Sequence, residues 1–257
     1  MFRPRVIPVL LLRNLGLVKS IKFKDCRYIG DPINAVKIFN DLRADELVFL
    51  DIMASKENRK ISLDFVRKVG DECNMPFAVG GGIKKIEDIR EILNSGAEKV
   101  IINTAAAENP DFIKLASQEF GSSTIVVCMD IKKKFLGNDF IWIYSGSKAT
   151  SFDPVIYARL MAGNGAGELL IQSIDYDGMM GGYDLDLISK ISNAVTIPVI
   201  ACSGAGCNQH LSLAVKEANA SAVAAGSLFV YHGPRKAVLI NYPTHEELMH
   251  LFNENSD

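Results

Sequence analysis

The stretch Ile125-Val126-Val127-Cys128-Met129-Asp130 is an unbroken apolar run that ends in a carboxylate near the middle of the chain. A strand this apolar has to be covered on both faces, as in a parallel β-sheet. An acid at the C-terminal end of such a strand lies at the rim where α/β barrels bind their ligands. Asp130 is therefore the first candidate for a catalytic residue.

Short runs rich in valine and isoleucine recur along the chain, and each is followed by a longer segment with apolar residues three and four positions apart. This alternation is typical of βα units in a parallel sheet. The predicted strands cover residues 6–11, 46–52, 77–80, 99–103, 125–130, 168–173, 199–203 and 222–225. The predicted helices cover residues 32–42, 63–73, 86–95, 111–120, 153–164, 185–194 and 211–217.

The second half of the chain repeats the first. At an offset of 122 positions, residues 46–50 fall on 168–172, and residues 76–82 fall on 198–204. Four strands are thus repeated as four strands, and neither half, residues 1–122 or 123–240, can close a barrel alone. We predict an α/β fold in which residues 1–257 form one (β/α)8 TIM barrel domain with a twofold internal repeat. A doubly wound open sheet is the alternative.

The composition of the chain argues against several classes of partner and cofactor. The 257 residues are 48% hydrophobic and 23% charged, with a net charge of −2. There is no excess of positive charge for nucleic acid or a membrane surface, so neither partner is expected. The N-terminus lacks the zones of a signal peptide, which predicts a cytoplasmic protein. Five cysteines without a CxxC pair, and histidines without ligand spacing, indicate no disulfide framework, no metal and no cofactor.

Two segments depart from a minimal barrel. Residues 13–31 form a long connection without helical periodicity, which predicts a mobile lid that carries Lys19, Lys22 and Lys24. Residues 133–150 alternate like a small hairpin inserted after the fifth strand, which we interpret as a decoration of the rim.

Glycine-rich turns follow a strand at equivalent places in the two halves, at residues 80–83 and 203–206. Glycine lets backbone N–H groups approach an anion, although one such turn alone also has a purely steric explanation. Because the turn occurs twice, each time beside a loop with further donors, we predict two phosphate sites and a ligand phosphorylated at both ends. The donor loops are Asn103-Thr104-Ala105 and Gly226-Ser227, and residues 175–178 close over the second phosphate through Gly178.

Several short motifs follow one another along the chain: Gly30-Asp31-Pro32, residues 46–51, Gly80-Gly81-Gly82, Asn103-Thr104, Asp130, Asp175-Tyr176-Asp177-Gly178, Gly181-Gly182-Tyr183-Asp184-Leu185 and Ile197-Pro198-Val199-Ile200-Ala201. In these motifs, and over nearly the whole chain to about Val230, the sequence resembles the cyclase subunit of imidazole glycerol phosphate synthase. The resemblance implies a barrel that accepts ammonia from a partner glutaminase. It also implies that this ammonia is used to split and cyclise a bis-phosphorylated ribulose-type substrate.

The same resemblance assigns roles to single residues. Asp130 and Lys19 would be catalytic. An ammonia gate at the N-terminal mouth of the barrel would consist of Arg5, Glu46, Lys99 and Glu168. With the turns described above, the predicted phosphate and substrate residues are Gly81, Gly82, Asn103, Thr104, Gln172, Asp177, Gly178, Ser203, Gly204, Gly226 and Ser227.

The chain also departs from that family. Leu11 stands where the first strand of the family ends in a second catalytic Asp, and no acid precedes Asp25. Gln172 and Cys202 stand where small hydroxyl residues are usual. Residues 235–243 resemble a divergent branch that supplies ammonia to a separate sugar amidotransferase, in systems that convert an N-acetyl group on bacterial surface sugars into an acetamidino group.

These observations leave two main hypotheses. The first is an ammonia-relay subunit that works with a glutaminase and a sugar amidotransferase, favoured by the charged ring and the missing acid. The second is a cyclase of histidine biosynthesis, favoured by the two phosphate turns. An unrelated phosphosugar isomerase on the same fold is a third. Asp130 favours a lyase or cyclase activity, whereas Leu11 argues against an ordinary rate.

Overall fold

The computed structural model describes residues 3–133 and 137–253. In chain order the strands are β1 (Arg5–Arg13), β2 (Gly16–Ile21), β3 (Lys24–Gly30), β4 (Leu47–Asp51), β5 (Phe77–Gly80), β6 (Lys99–Ile102), β7 (Ile125–Lys133), β8 (Asp139–Ile143), β9 (Lys148–Ala149), β10 (Glu168–Ser173), β11 (Val199–Cys202), β12 (Ala222–Ala225), β13 (Tyr231–His232) and β14 (Ala237–Val238). The helices are α1 (Pro32–Asp41), α2 (Leu63–Glu72), α3 (Ile86–Asn94), α4 (Thr104–Glu108), α5 (Asp111–Phe120), α6 (Pro154–Gly163), α7 (Leu185–Ser192), α8 (Asn208–Lys216), α9 (Ser227–Val230) and α10 (His245–Asn253).

Eight of these strands form a closed parallel barrel. Its strands follow one another in the order β1, β4, β5, β6, β7, β10, β11 and β12, and β12 pairs again with β1. The first four come from the first half of the sequence repeat and the last four from the second. The predicted (β/α)8 barrel is therefore confirmed, and the open-sheet alternative is wrong because the two ends of the sheet are joined.

The period-two pattern of the barrel strands separates two cores. In β7, Ile125, Val127 and Met129 face outward and pack under the surrounding helices. Val126 and Cys128 face the barrel interior. The same alternation directs the next inward position, Asp130, towards the C-terminal opening of the barrel.

The eight predicted barrel strands are all present, and two of them are longer than predicted. β1 continues to Arg13 because its end pairs antiparallel with β2, where Leu11 lies opposite Val18. β7 continues to Lys133 because it pairs with β8. β8 and β9 confirm the predicted hairpin after the fifth barrel strand, although residues 134–136 of that segment lie outside the described residues.

Residues 13–31 contain two strands that were not predicted, and the mobility of this segment as a lid stays a prediction. This segment forms the antiparallel strands β2 and β3, here called the rim hairpin, which begins directly from the end of β1. The sharp turn between the strands places Lys22 and Phe23 in the left-handed region, at φ of 53° and 59°. Local periodicity misses these strands because they are stabilised by pairing with β1 and by contacts with a loop more than 150 residues away.

Within residues 3–133 and 137–253, no helix has both the length and the apolar character needed to cross a bilayer.

Candidate active site at the C-terminal rim

The C-terminal ends of the barrel strands surround a cavity of about 370 Å³, here called the main cavity. Apolar side chains that include Leu11, Leu50 and Ile101 form part of its lining. The rim hairpin contributes Phe23 and Lys24 from above the strands. Of the predicted site residues, the main cavity brings together Gly81, Gly82, Asn103, Thr104, Asp130 and Gln172.

Asp130 lies at the wall of the main cavity and is 6% exposed. Its Oδ1 accepts a hydrogen bond from the Cys128 thiol at 3.3 Å, because residues two apart on a strand share a face. Burial raises the pKa of Asp130 to about 7, and the nearby charge of Asp177 adds to this, whereas the bond from Cys128 opposes it. A carboxyl group with this pKa can both release and accept a proton near neutral pH.

The wall at the end of β1 is apolar. Leu11 is 7% exposed and lies beside Leu50 of the adjacent barrel strand. The other carboxylates that line the main cavity in the described part of the chain are Asp25 and Asp51. Asp25 is exposed on the rim hairpin, and Asp51 is bound to Arg59. The position of Leu11 therefore supplies no second acid to work with Asp130.

The first glycine turn is shaped by the neighbouring loop. Gly82 has a φ of 68°, and a Cβ there would lie 1.8 Å from the carbonyl oxygen of Arg59, so no other residue fits without a backbone shift. Asp51 holds this loop: its carboxylate accepts the N–H groups of Met53 and Ala54 at 3.0 and 3.1 Å, and the Arg59 guanidinium at 2.6 Å. The sequence analysis did not single out this anchor, although an acid followed by an arginine eight residues later was visible.

The side chains of Asn103 and Thr104 are already engaged with the protein. The Asn103 amide donates to the carbonyl oxygens of Cys128 and Trp142, at 3.0 and 3.3 Å. The Thr104 hydroxyl accepts the N–H of Tyr144 at 3.1 Å. Asn103 therefore joins the end of β6 to β7 and β8, and Thr104 bonds to the residue that follows β8. The contact of either residue with a phosphate remains a prediction.

A second, smaller cavity of about 30 Å³ lies on the other side of the rim. It brings together the predicted residues of the second phosphate site, Asp177, Gly178, Ser203, Gly204, Gly226 and Ser227, together with Lys19. The two halves of the sequence repeat thus place their glycine turns in two separate cavities. Lys19 and Phe23 of the rim hairpin are among the residues that line the second cavity.

Lys19 projects into the second cavity and is 6% exposed. A Cβ on Gly226 would lie 1.8 Å from its Nζ, so the ammonium group lies directly against that turn. Burial lowers the pKa of Lys19, against the attraction of the Asp177 carboxylate. Among the described residues, the Lys19 ammonium group makes no side-chain hydrogen bond and no close ion pair, and the charge that acts on it most is that of Asp177. A buried ammonium group that lies against a glycine turn, with no close ion pair of its own, is suited to an anionic ligand.

Asp177 holds the rim hairpin in place. Its Oδ2 accepts the Ser20 hydroxyl at 2.7 Å and the N–H of Phe23 at 3.2 Å, and its carbonyl oxygen accepts the N–H of Lys22 at 3.0 Å. A Cβ on Gly178 would lie 2.3 Å from the Ser20 carbonyl oxygen, so glycine allows this close approach. Because both recorded side-chain bonds of Asp177 go to the hairpin, a direct contact with phosphate stays a prediction.

His210 forms a hydrogen bond with the second glycine turn, and the sequence analysis did not single out this residue. Its Nδ1 accepts the N–H of Gly206 at 3.1 Å. A Cβ on Gly204 would lie 2.1 Å from the carbonyl oxygen of Gly182, so the turn is packed closely against the preceding loop. The bond is local, from the start of α8 to the turn before it, but no spacing rule singles it out.

No cluster of three or more potential metal ligands exists in the described part of the chain.

The N-terminal mouth of the barrel carries a closed ring of alternating charges. Arg5 forms ion pairs with Glu46 and, at 2.5 Å, with Glu168. Lys99 joins the same two carboxylates at 3.3 and 3.2 Å. Burial works to lower the pKa of Arg5, but Glu168 and Glu46 outweigh it and raise that pKa. The four residues predicted as a gate therefore meet in one cluster, and its gating role remains a prediction.

Comparison of the sequence with known proteins gives a family for this barrel. Residues 5–234 match the family described as histidine biosynthesis protein. The chain is 44% identical over 232 residues to the imidazole glycerol phosphate synthase subunit HisF of Alkaliphilus metalliredigens, covering 90% of this chain and 92% of that one. It is 45% identical over 248 residues to a Vibrio vulnificus protein provisionally named imidazole glycerol phosphate synthase subunit hisF3, covering 96% and 95%. The chain therefore belongs to the HisF family of imidazole glycerol phosphate synthase subunits.

Proposed function

We propose that this chain is the ammonia-accepting barrel of a two-subunit, glutamine-dependent system. A class I glutaminase would dock at the N-terminal mouth, and ammonia would pass through the barrel towards the main cavity. The observation that carries the proposal is a contrast: the charged ring at the N-terminal mouth is complete, whereas the acid pair at the C-terminal rim is reduced to Asp130.

The ring suits a gate for a small neutral molecule. Two cations and two anions alternate, so the cluster carries no net charge that would attract ammonium ions from solution. Behind it, the barrel interior is lined by small and apolar side chains that include Ile7, Val48 and Leu170. Neutral ammonia crosses such an interior at a lower free-energy cost than ammonium, because burial penalises the charged form.

The acceptor of the ammonia would be a sugar that carries an N-acetyl group, modified by a separate amidotransferase. Leu11 supports this assignment because a relay subunit does not need the proton-transfer pair of a cyclase. The likeness of residues 235–243 to the sugar-modifying branch supports it as well. Lys19 and the two glycine turns would then bind a phosphorylated ligand that regulates or accompanies the transfer.

A specific observation favours a second candidate, the cyclase reaction itself. Both glycine turns border cavities, and Asp130 has a pKa of about 7 on the wall of the larger one. These features suit a bis-phosphorylated substrate and one general acid or base. The names of the relatives, which are imidazole glycerol phosphate synthase subunits, support this candidate.

One assay separates the two candidates: incubation with the bis-phosphorylated aminoimidazole ribulotide and ammonium, with detection of imidazole glycerol phosphate. The relay function predicts trace turnover, and Leu11→Asp should raise it, because one positioned acid or base contributes about 10²–10⁴ in rate. Leu15→Asp is the matched control, since Leu15 is 65% exposed away from the cavity lining. Turnover at an ordinary enzyme rate by the unmodified protein would refute the relay function and establish the cyclase.

A further inference from the structure

Gln172 occupies a central place in the site. It lies near the end of β10, in register with Asp130 on one neighbouring strand and with Cys202 on the other. Residues in register on adjacent parallel strands point to the same face about 5 Å apart, so these three side chains form one row inside the barrel opening. Gln172 is 5% exposed, so its amide group lies among these neighbours and the cavities rather than in bulk water.

Both cavities include Gln172 in their lining. Leu11 and Phe23 are the other residues that line both of them. Leu11 and Phe23 are apolar, so Gln172 supplies the polar side chain at the junction. A ligand that extends from one glycine turn to the other has to pass this junction.

The carboxamide of Gln172 makes no hydrogen bond to any residue in 3–133 or 137–253. A side-chain amide has two N–H donors and an acceptor oxygen, and those of Gln172 are not sealed in the core but are open to the cavities that this residue lines. Since no described residue occupies them, they are free to bond to a group that enters the cavities from outside the chain.

We propose that Gln172 is a specificity-determining residue that recognises the uncharged, hydroxyl-bearing middle of a phosphorylated ligand. The inference rests on the phosphate sites of the proposed function. Phosphates bind to backbone N–H groups at the glycine turns and to cations such as Lys19. A neutral carboxamide that donates and accepts at the same time is matched to a hydroxyl or carbonyl group of a sugar chain.

Two probes of the same chain length test this role: D-ribulose 5-phosphate and n-pentyl phosphate, which lacks the hydroxyl and carbonyl groups. Binding of each is measured by titration calorimetry on the full chain. The unmodified protein should prefer the ribulose phosphate. Gln172→Met keeps the length of the side chain but removes its hydrogen bonds, and should weaken ribulose phosphate binding about tenfold while pentyl phosphate binding changes less than twofold.

The controls separate this inference from the proposed function. Gln118→Met changes an exposed glutamine on α5 and should leave both affinities unchanged. Gln172→Leu replaces the Met variant if that variant folds poorly by circular dichroism. If both probes bind and the preference survives in the Gln172 variants, the inference is wrong and the phosphate sites stand. If neither probe binds the unmodified protein, the phosphate sites of the proposed function fail and the role of Gln172 fails with them.

Discussion

Asp177→Ala removes the side chain that holds the rim hairpin over the second cavity. Two hydrogen bonds are lost, from the Ser20 hydroxyl at 2.7 Å and from the N–H of Phe23 at 3.2 Å. A hydrogen bond to a charged group contributes about 1.5–3 kcal/mol. Because the bond to Phe23 is only partly buried, we expect the free energy of hairpin opening to fall by about 3 kcal/mol.

Amide hydrogen exchange measures this opening directly. Each 1.4 kcal/mol corresponds to a tenfold change in an equilibrium constant, so exchange of residues 17–30 should accelerate roughly 100-fold. The barrel strands should exchange at their original rates, because Asp177 bonds only to the hairpin and to its own loop among the described residues. Mass spectrometry of peptides from residues 17–30, compared with a peptide from β5, gives both quantities.

Asp175→Ala is the matched control, since it removes an acid from the same loop whose recorded contact is a long one to the N–H of Lys133, at 3.4 Å. It should leave the hairpin protected. Unchanged exchange of residues 17–30 in a folded Asp177→Ala protein would refute the role of Asp177 as the anchor. Equal acceleration along the whole chain would refute it as well, because it would indicate global destabilisation.

Two further predictions concern buried charge. Because the pKa of Asp130 is about 7 in the folded protein, against 3.8 as a reference, the folded state binds more protons between about pH 4 and 7. The free energy of unfolding should therefore fall as pH rises through this window, by as much as about 4 kcal/mol, and the urea midpoint of Asp130→Asn should change less between pH 4 and 7 than that of the unmodified protein. Lys99→Met leaves Glu46 and Glu168 with Arg5 as their remaining cation, which should lower the free energy of unfolding by about 3 kcal/mol and uncouple ammonia transfer from a glutaminase. Lys114→Met, an exposed lysine on α5, is the control; equal stability and coupling in the two variants would contradict the role of the ring.

The barrel was predictable because its signals are local. Runs such as residues 125–129 are apolar at every position, and glycine or proline often lies next to the ends of the strands. The internal repeat then required both halves to close together. The register that places Asp130 beside Gln172 follows from barrel closure, which no single segment contains.

The rim hairpin was not predictable in the same way. Its polar and charged residues resemble a loop when they are read alone, and Lys19 resembles an exposed lid residue. Pairing of Val18 with Leu11 and the bonds to Asp177 come from elsewhere in the fold. For the same reason the sequence placed Asp177 beside a phosphate but did not indicate that its carboxylate faces Ser20.

The charged ring has a consequence for how the chain can be divided. Arg5, Glu46 and Lys99 belong to the first 122 residues, and Glu168 belongs to the rest. If the chain were cut after residue 122, the first fragment would carry Arg5, Glu46 and Lys99, with one positive charge in excess. The second fragment would carry Glu168 alone at the matching edge. Each fragment thus carries the countercharge that the other lacks, and reassociation of a split chain would be guided to one register and weakened by salt.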